Sequence, residues 1–228
     1  MADHIRTLLF SILFYGLSVP IVLAAPIVAL FGTVTLRRYS MAWAGLGLLL
    51  AHQILGIRVA VEGQRIDGPA LYAVKHQAMY ETLAMAAMLD APAIVMKQEL
   101  ARIPVWGWVA RRYGVIVIDR AGSAKALRAM MKEARAAVAE GRSVVIFPEG
   151  TRTSPGETPP LRSGFAGLYR AIGLPVVPVA CETGKVWPRT GPKRPGIVTF
   201  LFGDPLPPGE SREDIEAAVH RGINAFEI

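Results

Sequence analysis

The stretch "VIVIDRAGSAKALRAMMKEARAAVAEGRSVVIFPEG", residues 115–150, decides the fold. It opens on five strand-like residues, VIVID (115–119). Leu127, Met130, Ala134 and Val138 then recur at helical spacing, and Gly141 supplies a stop. SVVIF (143–147) is a second apolar strand. Strand, helix and strand follow one another with only short connections.

The same alternation extends outward in both directions. RVAVEG (58–63) begins a sheet, LYAVK (71–75) precedes a helix near 78–89, and AIVMK (93–97) is a further strand. Pro104 and Gly107 make QELARIPVWGWVARRYG (98–114) broken helix or loop. PVVPVA (175–180) and GIVTFLF (196–202) are apolar strands, and a last helix covers Arg212 to Asn224. The pattern predicts an α/β fold with a largely parallel sheet flanked by helices. In such sheets the strands end along one edge, where ligands bind. His76 follows one strand, Asp119 and Arg120 end another, and Pro148, Glu149 and Gly150 follow a third. These three motifs are therefore expected on one edge.

The chain has 228 residues, of which 52% are hydrophobic, and the excess is concentrated near its start. Thr7 to Leu36 carries no charge; Arg37 and Arg38 intervene, and Tyr39 to Ile57 is again uncharged. Both runs are membrane candidates by length. Pro20 and Pro26 are expected to break the first, leaving Thr7–Val19, about 20 Å of helix. Two true spans would set Arg37 and Arg38 on the far side from the remaining domain, against the positive-inside tendency. A hydrophobic helical hairpin over residues 1–58, dipping into one leaflet with both arginines among headgroups, avoids that conflict. Residues 59–228 then form the second domain. A hairpin buried in a soluble core is the plainer alternative.

The net charge is +7. Lys97 to Arg142 holds ten basic residues against four acidic, which suits an anionic membrane face or phosphorylated substrates. No helix-turn-helix, zinc-finger or RNP-like pattern supports nucleic acid as a partner. The single cysteine, Cys181, excludes an intramolecular disulfide and sits in an apolar run where a small buried residue is the default. The four histidines are too scattered for a recognisable zinc site, and no G-x-S-x-G elbow, P-loop or G-x-G-x-x-G is present.

His76 and Glu81 form an H-x4-E pair. On one ideal helix that offset turns about 140° out of register, so the pair meets only if His76 precedes the helix. There Glu81 holds the Nδ1 proton and Nε2 is left to accept another. By itself, the spacing favours an ordinary histidine on a strand-to-helix loop. "IFPEGTRT" (146–153) runs a strand into a turn that Gly150 permits, with Thr151 and Arg152 and exposed N–H groups suited to an anion. A plain polar turn is the alternative. Arg120 suits bidentate phosphate contact at another strand end, where an ordinary surface arginine is the other reading. "GLPVVPVA" (173–180) has no reactive side chain and reads as a wall.

Taken in order, "KHQAMYE", "GVIVIDR", "FPEGTRT" and "LPVVPVA" resemble the four blocks of the lysophosphatidic acid acyltransferase family, the glycerophospholipid acyltransferases. The likeness covers about residues 58–205, and the N-terminal hydrophobic hairpin is also typical. The resemblance implies acyl transfer from acyl-CoA or acyl-carrier protein to the sn-2 hydroxyl of a lysophospholipid such as 1-acyl-glycerol-3-phosphate, without metal or other cofactor. It implies His76 as general base and Glu81 as its orienting partner. It places Arg120, Glu149, Gly150, Thr151 and Arg152 at the glycerol phosphate, with Lys97 as a weaker phosphate or oxyanion contact. Glu149 cannot itself attract phosphate, so its part there is to fix the turn, pair with an arginine or meet a hydroxyl. It also implies docking at the cytoplasmic face of a membrane. Two positions depart from the family pattern: Glu81 stands where Asp is commoner, and Ala78 replaces the usual small hydroxyl residue.

Overall fold

A computed structural model describes residues 1–119 and 124–227. The chain starts with two antiparallel helices, α1 (Ala2–Ala29) and α2 (Thr33–Leu50), joined by an exposed turn at Leu30–Gly32. α2 runs on into a π turn at Ala51–Leu55 and then into strand β1 (Ile57–Gly63). Next come β2 (Leu71–Val74), α3 (Tyr80–Met88), β3 (Ala93–Lys97), a 3-10 turn at Leu100–Arg102, α4 (Trp106–Tyr113) and β4 (Ile116–Ile118). Then follow α5 (Ala124–Ala139), β5 (Val144–Ile146), α6 (Gly164–Ile172), β6 (Val176–Cys181), α7 (Thr183–Val186), β7 (Gly196–Phe202) and α8 (Arg212–Ile223).

The seven strands form one sheet in the order β1-β7-β6-β2-β5-β3-β4. β6, β2, β5, β3 and β4 are mutually parallel, as the β-α alternation predicts. β7 is antiparallel to β6 and brings β1 in parallel beside it, so two strands at one end run the opposite way. β2, β5 and β6 are buried at every position, which fits strands covered on both faces. An apolar core forms on each face of the sheet. On one face Met130, Ala134, Phe165, Leu168, Ile215 and Val219 from α5, α6 and α8 cover the sheet. On the other, Tyr72, Val74, Val177 and Val179 pack under α3 and the hairpin.

Pro20 and Pro26 do not break α1, contrary to the sequence expectation. Each proline removes one N–H from the helix. α2 is bonded to α1 in the same region: Tyr39 Oη donates to Ile21 O (2.9 Å), and Trp43 Nε1 donates to Ser18 Oγ (2.8 Å). The inner face of α1 is sealed by aromatic contacts. Phe10 stacks on Phe14, Phe14 on Trp43, and Phe10 meets Trp187 edge-on. Gly47 lets α2 lie this close, since a Cβ there would stand 2.8 Å from Phe14 and 3.0 Å from Leu83.

The hairpin therefore shares its core with the sheet, while its outer face is apolar and bare. Ile5, Leu8, Ile12, Val19, Leu23 and Ile27 form an exposed stripe along α1, continued by Leu30 and Phe31. Among the described residues only α1 is long and apolar enough to cross a membrane; the second expected run, Tyr39–Ile57, is divided between α2, the π turn and the start of β1. Arg37 also departs from its expected place among headgroups. Its guanidinium donates to Tyr113 O (3.0 Å) and to Glu140 (2.5 Å), fastening the hairpin to α4 and α5. Arg38 stays exposed.

Candidate active site

β2 lies at the centre of the sheet, between β5 and β6, and His76 emerges two residues beyond its end. β2 pairs with β5 so that Ala73 faces Ile146, and continuing that register sets His76 opposite Glu149. The two blocks, distant in sequence, thus leave the sheet side by side.

His76 precedes α3, as contact with Glu81 requires. Nδ1 lies 2.8 Å from Glu81 Oε1. The same oxygen accepts the backbone N–H groups of Gln77 and Ala78, both at 2.7 Å. Glu81, in the first turn of α3, thus reaches back over the loop, and the helix dipole favours its negative charge there. Its side chain is fully buried, and Oε2 has no hydrogen-bond partner among the described residues. With Nδ1 committed, Nε2 is the ring nitrogen left for chemistry. The His76 side chain is 15% exposed, enough to reach a substrate atom. Its ring stacks on Phe147, centroids 4.2 Å apart.

The backbone of the loop is equally constrained. His76 N donates to Glu149 Oε2 (3.1 Å), and Thr153 N donates to His76 O (2.7 Å). Gly150 adopts φ +73°, which makes the turn, and its N–H donates to Phe147 O (2.9 Å). A side chain at Gly150 would collide with Arg162, whose Cγ would lie 2.8 Å from the added Cβ. Thr151, Arg152 and Arg162 are exposed around this turn.

Glu149 does not sit among the phosphate ligands where the family resemblance placed it. Its side chain is wholly buried, Oε1 accepts from Lys75 Nζ (2.7 Å), and Oε2 takes the His76 N–H. Burial pushes this carboxyl up; the Lys75 ammonium and the His76 N–H pull it back. Of the roles left to it, fixing the turn is the one this geometry matches. Lys97 ends β3, two strands from β2, roughly 10 Å away by strand spacing. β4 is the edge strand, three positions from β2, so Asp119 at its end does not meet the His76 and Glu149 blocks on adjacent strands. Arg120 lies outside the described residues.

Several residues at this edge escaped the sequence reading. Lys75 and Gln77 are buried to 0% and 1% exposure, although both are polar and flank His76. Phe147 and Thr153 lie in or beside quoted motifs, but their contacts with His76 are tertiary. Asn224 and Glu227 have no local signal at all. Cys181 is buried as expected and donates weakly to Lys75 O (3.4 Å).

The Acyltransferase family model matches residues 56–182, just over half of the chain, from β1 through β6 with the His76, Glu81 and Glu149 positions inside it. The chain belongs to the acyltransferase family. It is 33% identical over 164 residues to a 1-acyl-sn-glycerol-3-phosphate acyltransferase of Pseudomonas aeruginosa, covering 71% of this chain and 64% of that protein. A protein of the same name from Cocos nucifera is 27% identical over 165 residues, covering 71% and 54%. The chain thus spans less than two thirds of the length of either relative. Its fold is similar to the crystal structure of the 1-acyl-sn-glycerophosphate (LPA) acyltransferase PlsC from Thermotoga maritima. The TM-score is 0.77 at 25% identity, covering 99% of this chain and 96% of that one. As an acyltransferase-family chain it carries its histidine–carboxylate pair at the centre of the sheet, and α1 is a candidate membrane anchor.

Proposed function

We propose that this acyltransferase-family protein moves a fatty acyl group from acyl-CoA or acyl-carrier protein to the sn-2 hydroxyl of 1-acyl-glycerol-3-phosphate, giving phosphatidic acid. The observation that carries the reading is the Glu81–His76 pair, which commits Nδ1 and leaves Nε2 on the open side of the ring. Nε2 takes the proton of the acceptor hydroxyl as its oxygen attacks the thioester carbonyl. The C–S bond then breaks, and the leaving thiolate takes the proton from Nε2. Glu81 stabilises the imidazolium between the two steps. General-base help of this kind is worth about 10²–10⁴-fold, and positioning supplies much of the rest. No cofactor beyond the acyl donor enters.

Arg152, Arg162 and the N–H groups of the Gly150 turn hold the glycerol phosphate in this reading, with Lys97 as a more distant cation and Arg120 carried over from the family resemblance alone. Residues 1–58 act as the membrane-associating hairpin and 59–228 as the catalytic part. α1 lies in the plane of the cytoplasmic interface with its outer stripe immersed, bringing the site to a lipid acceptor already in the leaflet.

The test is a screen of purified protein in detergent against lysophosphatidic acid, glycerol-3-phosphate and lysolipids with other headgroups, each with acyl-CoA and acyl-carrier protein. Transfer to lysophosphatidic acid that disappears in a folded His76→Ala variant supports the reading. Transfer only to another acceptor corrects the substrate, and lysolipid binding with no turnover by any pair overturns the enzymatic reading.

A further inference from the structure

In extended chain, alternate side chains point to opposite faces. Lys75 and Gln77 are buried while His76 between them reaches the open side, so the catalytic loop has a front and a back. Both back residues meet the short segment that follows α8. Lys75 Nζ donates to Asn224 Oδ1 (2.6 Å), and Gln77 Nε2 donates to Glu227 Oε1 (2.5 Å). Asn224 and Glu227 are joined in a turn by the Glu227 N–H to Asn224 O bond (2.8 Å).

The same two junctions take in the loop after β5. Lys75 Nζ also donates to Glu149 Oε1 and to Glu157 O (2.6 Å), so all three of its N–H bonds are used. Glu227 Oε2 accepts from Gly156 N. Asn224 is itself held by its Nδ2, which donates to His220 O on α8 (2.8 Å). Three segments remote in sequence are therefore tied together twice, once on each side of His76.

A buried ammonium is an expensive way to fill space, since desolvation costs several kcal/mol per ion and apolar side chains would pack as well. What this arrangement supplies is direction, because charged hydrogen bonds at fixed angles set the path of residues 75–77. We infer that the Asn224–Glu227 turn is a positioning element that aims His76, with Glu227 and Asn224 as positioning residues. This rests on the acyl-transfer reading above.

Glu227 is the residue to test, since it is only partly buried. The full chain is compared as wild type, Glu227→Ala, Glu227→Gln, Gln77→Ala and the Gln77→Ala/Glu227→Ala double variant. Glu227→Ala is expected to lower kcat about 10–100-fold, the scale of a small misplacement of a reacting group. KM for acceptor and donor should stay within about twofold and Tm within about 2 °C, as for loss of partly exposed contacts at the rim. Glu227→Gln keeps one acceptor oxygen and should recover part of kcat. The double variant should lose little more than the worse single one.

Amide exchange is read alongside, independently of turnover. In Glu227→Ala the Gln77 and Ala78 N–H groups, which Glu81 holds, should exchange about tenfold faster. An unchanged kcat with unchanged exchange overturns the inference. So does a kcat loss matched by a general fall in Tm, or additive losses in the double variant. If the wild type transfers no acyl group, the proposed function fails, and unaltered exchange is then what refutes the positioning role.

Discussion

His76 Nδ1 lies 2.8 Å from Glu81 Oε1, although a five-residue spacing would set the two about 140° apart on one helix. They meet because β2 ends at Val74 and α3 begins only at Tyr80. One oxygen of the longer glutamate serves the ring and two backbone N–H groups. Glu81→Gln should therefore lower kcat by about 10²–10⁴-fold, because an amide does not stabilise the imidazolium. Glu81→Asp, shorter by one methylene, should fall between wild type and Gln. Steady-state kinetics on folded variants check both, and an Asp variant as poor as Gln would contradict this order.

Lys75 and Glu149 form a buried pair at 2.7 Å with neither side chain exposed. Lys75→Met strands the Glu149 carboxylate and is expected to cost about 3–5 kcal/mol. At about 2–4 °C per kcal/mol, Tm should fall by roughly 6–20 °C. Replacing both, as Lys75→Met/Glu149→Leu, should recover most of that Tm. Activity should remain low, because His76 N–H then has no acceptor. Calorimetry and assay on the three proteins separate stability from positioning, and a double variant with wild-type kcat would contradict it.

The large apolar side chains along the outer face of α1 are exposed, and in the proposed function they face a bilayer. Each large side chain withdrawn from an apolar environment costs about 1.5–3 kcal/mol. Replacing Leu8, Leu23 and Ile27 together by glutamate should weaken vesicle binding by more than about 100-fold, before any charge penalty is added. Vesicle flotation checks this. Acyl transfer to a water-soluble, short-chain acceptor should survive, since these side chains point away from the core.

Cys181 is wholly buried in β6, and burial pushes its thiol well above the usual range. The thiolate is the form that reacts, and a raised pKa means less of it at any given pH. Native protein at pH 8 should resist a thiol-reactive dye and label fully in guanidinium. Fast labelling of the native protein would contradict the buried position. The same reagent then reports unfolding of the central sheet in all the variants above.

The alternation of apolar strands with helical periodicity already determined the α/β class and the parallel centre of the sheet, because each signal is local to its element. The order of the four motifs was legible too, and so was the requirement that His76 stand before its helix. The direction of β7 and β1 was not, since nothing in an apolar run states which way its neighbour runs. Pro20 and Pro26 predict breaks because each costs a helix bond; the packing of α2, with Tyr39 and Trp43 bonded to α1, is a tertiary contact that no local signal announces. Arg37 read as a headgroup contact until folding brought Tyr113 and Glu140 against it. The back of the catalytic loop was invisible in the same way. Lys75 meets Asn224 and Gln77 meets Glu227 across 149 and 150 residues of sequence. Periodicity and spacing carry information over a few turns of helix, so they located the candidate pair, His76 and Glu81. Only the packing of α8 against the sheet decided what holds those residues in place.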